Sequence, residues 1–139
     1  MTLVVDASVA CKWFIAEVDS DVAETVLASG ETLLAPDLIL PESCNIAWRK
    51  LRRREITDAQ ATQMVAGLPE LLDELVPSLQ LARRAFEIAK ALDHPASDCF
   101  YLALAEVRGT NVVTSDRQLA SRLATTPWAR LVRNLDVGL

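Results

Sequence analysis

At 139 residues, 51% of them hydrophobic and 24% charged, the chain has the length of one domain and enough apolar surface for a core, which excludes a disordered polymer. Its three cysteines (Cys11, Cys44, Cys99) are odd in number, dispersed and without a C-x-x-C pair, and its one histidine, His94, precedes Pro95; both facts argue against a disulfide framework, a zinc ribbon or imidazole-based metal chemistry. The net charge of −5 argues against a bulk nucleic-acid coat, although Arg49, Lys50, Arg52, Arg53 and Arg54 form a local basic cluster able to grip phosphates.

In chain order, Leu3–Val5 reads as a short buried strand, followed by Asp6 at the start of a helix. A second strand is expected at Thr32–Leu34. Asp37 is placed to cap a helix running through Trp48 into the basic cluster, and Thr57 to start another that is interrupted near Gly67 and Pro69. After a strand at Leu75–Val76, Ser78 is placed to cap a helix through Leu92, with Leu81, Ala85, Ile88 and Leu92 on one stripe. A further helix opens at or near Ser97 and ends at Gly109. Its Cys99–Ala105 run is apolar all round, which predicts burial. Val112–Val113 is the fourth strand, Asp116 precedes another helix, and Leu131–Val132 is a candidate fifth strand. The strands are continuously apolar rather than alternating, the mark of a parallel sheet covered on both faces. The expectation is an α/β fold, a three-layer α/β/α sandwich around a central parallel sheet of four to five short strands, in one domain spanning 1–139. No apolar run nears the length of a membrane span, and the five residues before Asp6 hold no basic leader; a soluble, cytoplasmic protein is expected.

In an open parallel sheet, ligands gather at the carboxyl ends of strands. Asp6 and Asp116 follow two strands, and Glu42 and Asp98 lie near helix starts. Asp98 borders a run too apolar to face water, with no lysine or arginine within a helical turn, so it requires a partner. Each residue also has a plainer reading. Asp6 and Asp116 suit N-caps, Asp98 and Glu42 suit the first turns of helices, and Ser8, Asn45 and Thr114 are ordinary polar residues. The cysteines read as small core fillers, Trp13, Trp48 and Tyr101 as packing residues, and the arginine cluster as a solvated helix end.

The combination outweighs its parts. Val4-Val5-Asp6-Ala7-Ser8, Pro41-Glu42-Ser43-Cys44-Asn45, Asp98-Cys99-Phe100-Tyr101-Leu102-Ala103-Leu104-Ala105 and Val113-Thr114-Ser115-Asp116 occur in that order across nearly the whole chain. Together they resemble the PIN-domain nucleases, and among these the VapC toxins of type II toxin–antitoxin pairs. The resemblance implies a catalytic site of Asp6, Glu42, Asp98 and Asp116, with Asp6, Asp98 and Asp116 as metal ligands and Ser8, Asn45 and Thr114 in support. It also implies Mg2+, with Mn2+ as an alternative, and hydrolysis of phosphodiester bonds in tRNA or rRNA loops that leaves a 5′-phosphate and a 3′-hydroxyl. The expected partners are an RNA substrate, a small VapB-like antitoxin and a second copy in a homodimer, with operator DNA reached only through the antitoxin. One departure is Ser97-Asp98-Cys99-Phe100, where relatives commonly carry Tyr-Asp-Ala-Leu; it alters packing around the acid and leaves the acid in place. Elementary electrostatics agrees with the site: clustered carboxylates repel, and a hard cation relieves them.

The rival readings are a PIN-domain RNA-processing nuclease without an antitoxin and a non-catalytic binding module of the same fold. An aspartyl-phosphate phosphatase is disfavoured because Ser8 stands where a second acid is needed, and a receiver domain because it requires paired early acids and a late lysine.

Overall fold

Side chains along a strand point alternately to opposite faces, and that alternation sorts this chain's short apolar runs into two cores. The computed structural model describes residues 1–135. Five strands, β1 (Thr2–Val5), β2 (Thr32–Pro36), β3 (Glu74–Val76), β4 (Val112–Thr114) and β5 (Val132–Asn134), form one parallel sheet in the order β3-β2-β1-β4-β5. Leu3 pairs with Leu33, and Val4 with both Leu34 and Val112. Leu3, Val5, Leu33 and Ala35 enter one core, under α1 (Ala7–Ala10), α2 (Ser20–Leu27), α3 (Ile39–Arg52) and α4 (Asp58–Gly67). Val4, Leu34, Val76 and Val112 enter the other, under α5 (Ser78–Leu92), α6 (Ala96–Arg108) and α7 (Arg117–Leu123). The central strands β2, β1 and β4 lack polar alternation because neither of their faces meets water, whereas the edge strands β3 and β5 carry the exposed Glu74 and Arg133. The result is the expected α/β/α sandwich.

The helices follow their sequence signals with informative exceptions. Leu81, Ala85 and Ile88 of α5 are buried as one stripe, and Cys99 and Tyr101–Ala105 of α6 are buried between α5 and the sheet. Thr57 caps α4 in a reciprocal capping box with Gln60. Asp37, in contrast, does not cap α3, whose N-cap is Leu38 with no side-chain bond. Its Oδ1 instead accepts from the Ser78 backbone N–H at 3.0 Å and from the Ser78 hydroxyl. Ser78 is correspondingly the first helical residue of α5 and not its cap. The end of β2 thus supplies the missing acceptor for a helix 41 residues away, because β2 and β3 are neighbours in the sheet. Helix α2 had no counterpart in the sequence reading, and the fifth strand begins at Val132 because Leu131 closes a 3-10 turn, Pro127–Leu131.

Two packing expectations are corrected. Cys44 is exposed, whereas Cys11 and Cys99 are buried; burial pushes their thiols up to about 12 and about 11, too high for thiolate chemistry. Trp48 is 52% exposed, so it lies on the surface of the core and not within it. No helix among the described residues is long and apolar enough to cross a membrane.

The Asp37 clamp yields a stability test. Asp37→Ala is expected to destabilise the protein by about 1–2 kcal/mol, as loss of a helix cap does, lowering the urea midpoint with an unchanged m-value. An unchanged midpoint would show that water replaces the carboxylate at no loss.

Candidate active site

Strand order reverses about β1. From β1 the chain builds outward through β2 and β3, then crosses back to lay β4 and β5 on the other side. The carboxyl ends of β1 and β4 therefore flank a topological switch point, where connections diverge and a cleft opens. Asp6 is the first residue after β1 and Asp116 the second after β4. Both also cap helices. Asp6 Oδ1 accepts from Val9 N at 3.1 Å, and Asp116 Oδ1 accepts from the backbone N–H groups of Gln118 at 3.0 Å and Leu119 at 3.2 Å. The same side chains thus cap helices and stand at the switch point.

Asp6, Glu42, Asp98 and Asp116 line a single cavity of about 230 Å³, together with Ser8 and Asn45. Helix α3 contributes Glu42, Asn45, Ile46 and Arg49, at spacings of three and four that place them on one stripe. Helix α6 contributes Asp98 and Tyr101, again three apart. All four acids and two of the supporting residues named from sequence meet here, and the third, Thr114, is fully buried immediately behind Asp6.

Local electrostatics differ from acid to acid. Burial pushes the Asp6 carboxyl up to about 6, and the charge of Asp98 adds to the effect. Hydrogen bonds from the hydroxyls of Ser8 (2.6 Å) and Thr114, and from the Val9 N–H, oppose it. The two hydroxyls also join the β1 and β4 sides of the cleft, for Ser8 Oγ accepts from Ser115 N at 3.1 Å and Thr114 bonds to Asp6, while Thr114 Oγ1 accepts from Asp116 N within its own loop at 3.0 Å. Glu42 is likewise raised by burial and by the charges of Asp6 and Asp98, while the Tyr101 hydroxyl, donating to its Oε1 at 2.5 Å, pulls it back. Burial and the neighbouring Glu42 raise the Tyr101 phenol well above its ordinary value, so it is a permanent donor. Asp98 finds its partner in His94, with Nε2 2.7 Å from Oδ2.

Tyr101, which lines the cavity and bonds to Glu42, and His94, which contacts Asp98, are partners of the acids that the sequence does not single out. Tyr101 carried a signal, since it stands one turn after Asp98 on the same helix. His94 lies outside α6 and carried none beyond its proximity.

The donor set consists of hard oxygens, which suits a magnesium-type cation. Among the described residues no three His, Cys, Asp or Glu side chains close into a ready-made cage, so such an ion would rest on one or two carboxylates and water, the habit of Mg2+.

The basic cluster divides. Arg49 lines the acidic cavity. Lys50 is held 3.0 Å from Glu17 and 3.8 Å from Glu55, and the Arg52 guanidinium lies 5.4 Å from the centre of the Trp48 ring. Arg53 and Arg54 end α3 in a Schellman turn: Arg54 N donates to Leu51 O, Glu55 N donates to Lys50 O, and Arg54 takes a left-handed φ of 60°. Arg49, Arg53 and Arg54 make no ion pair among the described residues.

Residues 3–124 match the PIN domain family. The chain is 34% identical over 124 residues to Ribonuclease VapC3 of Pyrobaculum aerophilum, an overlap of 88% of this chain and 95% of that protein. Its fold is similar to the crystal structure of PAE2754 from Pyrobaculum aerophilum, with a TM-score of 0.69 and 21% identity over 99% of this chain and 85% of that one. Together with the four acids at the strand-order switch, these matches establish that the chain belongs to the PIN-domain family.

Proposed function

We propose that the protein is a metal-dependent endoribonuclease, the toxin of a toxin–antitoxin pair. The observation that carries the reading is the convergence of Asp6, Glu42, Asp98 and Asp116 on one cavity at the switch point of the sheet, in a chain related to a VapC ribonuclease. Asp6 and Asp98 would hold a Mg2+ or Mn2+ ion directly, with Asp116 and Glu42 holding waters or a second ion. A cation there would supply a water of lowered pKa and offset charge on the phosphodiester. The hydroxyls of Ser8 and Thr114 hold Asp6 in place, and Tyr101 holds Glu42. Asn45 offers its amide to a phosphate or a water at the cavity wall.

Arg49 stands beside the acids and is the first candidate for a phosphate contact, with Arg53 and Arg54 further along the backbone of a single-stranded RNA loop. Lys50 and Arg52 complete the cluster, although their charges already have partners within the chain.

An antitoxin would reach two surfaces of α3. Between α3 and α4 lies a groove of about 360 Å³ lined by Ala47, Trp48, Leu51, Ala61 and Val65, which fits an apolar anchor. An arginine or lysine from the adjoining tail would then enter the acidic cavity. Unimpeded cleavage by a purified 1:1 complex would count against this part of the reading.

Replacing Asp6 or Asp98 by Asn is expected to lower Mg2+-dependent cleavage of structured RNA by more than about 100-fold. Retained cleavage by a folded variant rejects the assignment. Asp6→Asn also removes a charge that the fold keeps buried. With a folded-state pKa of about 6 against an ordinary 3.8, Asp6 binds its proton more tightly folded than unfolded. Its contribution to metal-free stability is complete below about pH 4 and is lost as pH rises through 6. The stability advantage of Asp6→Asn over the parent should therefore grow from near zero at pH 4 to roughly 2–3 kcal/mol at pH 8. A difference independent of pH contradicts the burial of this charge.

Binding can be separated from cutting in an Asp6→Asn background. There, Arg49→Ala is expected to weaken RNA binding and to reduce the slope of log K against log salt by about 0.7, one single-strand phosphate contact. Lys50→Ala is expected to change the slope less, and equal slopes for the parent and Arg49→Ala return Arg49 to a solvated helix face.

A further inference from the structure

The partner of Asp98 belongs to a longer chain of contacts. Helix α5 closes on Asp93 in a left-handed conformation (φ 51°), and the His94 N–H donates to Ala89 O at 3.2 Å. Helix α6 opens two residues later, so the backbone of His94 is fixed in the corner between two helices. Its side chain is only 7% exposed. The imidazole meets a different element on each nitrogen: Nε2 lies 2.7 Å from Asp98 Oδ2 of α6, and Nδ1 lies 3.0 Å from Arg122 Nη1 of α7.

Those two contacts decide where the ring proton sits. A guanidinium only donates, so Nδ1 must accept from Arg122. The proton is then on Nε2, and Nε2 donates it to Asp98. Oδ1 of Asp98 makes no hydrogen bond among the described residues, and Asp98 lines the acidic cavity.

We propose that His94, locked in its Nε2–H tautomer by Arg122, is a positioning residue that holds one oxygen of Asp98 so that the other is presented to a divalent cation. This rests on the reading of the cavity as a metal site. The Asp98 side chain is 37% exposed and bears no other hydrogen bond among the described residues, so without His94 its carboxylate is free to turn. Partners of this kind, which fix a ligand without touching the metal, typically change metal affinity by about 10–100-fold. The arrangement inverts the usual pairing of a ligating histidine with a supporting carboxylate: here the carboxylate ligates and the histidine supports.

Two measurements on the full chain test this. Long-range 1H–15N NMR of the metal-free protein reads the tautomer directly, and Nε2 is expected to carry the proton in the parent, with a mixture of tautomers in Arg122→Ala. Calorimetric titration with Mn2+ alone is expected to show His94→Ala binding about 10–100-fold more weakly than the parent, Arg122→Ala lying between them, and His94→Gln, which keeps an N–H donor, recovering to within a few-fold. A protonated Nδ1 in the parent overturns the proposal, as does parent-like affinity in a folded His94→Ala. Should His94→Ala fail to fold, parent-like affinity in Arg122→Ala, or in His94→Gln an affinity loss as large as about 100-fold, overturns it equally. A parent that takes up no Mn2+ sinks the metal reading itself, whereas a parent that binds beside an equally tight His94→Ala sinks only the positioning role.

Discussion

Like charges confined in a partly buried cavity repel one another, and the whole molecule is arranged around holding them there. Asp6, Glu42 and Asp98 each raise the energy of another's ionised form, and burial raises it further. The fold answers with hydrogen bonds: the hydroxyls of Ser8 and Thr114 on Asp6, Tyr101 on Glu42, and the imidazole of His94 on Asp98. Hydroxyl donors stabilise carboxylates without cancelling their charge. The cavity is therefore left negative, and repulsion that would be a defect in a structural core is kept at the switch point of the sheet. A protein assembled for stability alone would replace such a cluster by packed apolar side chains.

The sheet makes this convergence geometrically possible. Its strands are three to five residues long, and the two that matter most, β1 and β4, are adjacent although more than a hundred residues separate them. Because their connections leave in opposite directions, the carboxyl edge opens there. Asp6 and Asp116 use the first backbone N–H groups of α1 and α7 as partners, so the ends of two helices further fix the acids. Ser8, through Ser115, and Thr114, through Asp6, then bind the two loops to each other.

Helix α3 serves two surfaces at once. Glu42, Asn45, Ile46 and Arg49 face the cavity, while Cys44, Ala47, Trp48 and Leu51 face the groove against α4. Both stripes follow the spacing of a single rigid helix, so whatever occupies the groove bears on the element that carries Glu42 and Arg49. The exposure of Cys44 and Trp48, unexpected for apolar residues in a core helix, follows from their place on the second stripe. The arginines at the end of α3 complement the negative end of its dipole, and this does not conflict with a role at the cavity mouth for Arg49.

Much of this was legible in the chain itself. Strands buried on both faces must be continuously apolar, which betrays them as parallel, and residues that leave such strands fall at the sheet's carboxyl edge, which singles out Asp6 and Asp116. Helix stripes at Leu81, Ala85 and Ile88, and the capping box at Thr57, depend only on neighbours within a turn or two and are written locally. The order of the strands is not local, and everything that depends on it was decided by tertiary structure. Asp37 turned from its own helix to Ser78, 41 residues on; Tyr101 reached Glu42 across 59 residues, Ser8 reached Ser115 across 107, and His94 reached Arg122 across 28. Propensity and periodicity report what a residue prefers among its immediate neighbours. Which distant group it meets is settled by how all the apolar faces are buried together, a sum over the whole chain to which no short segment holds the answer.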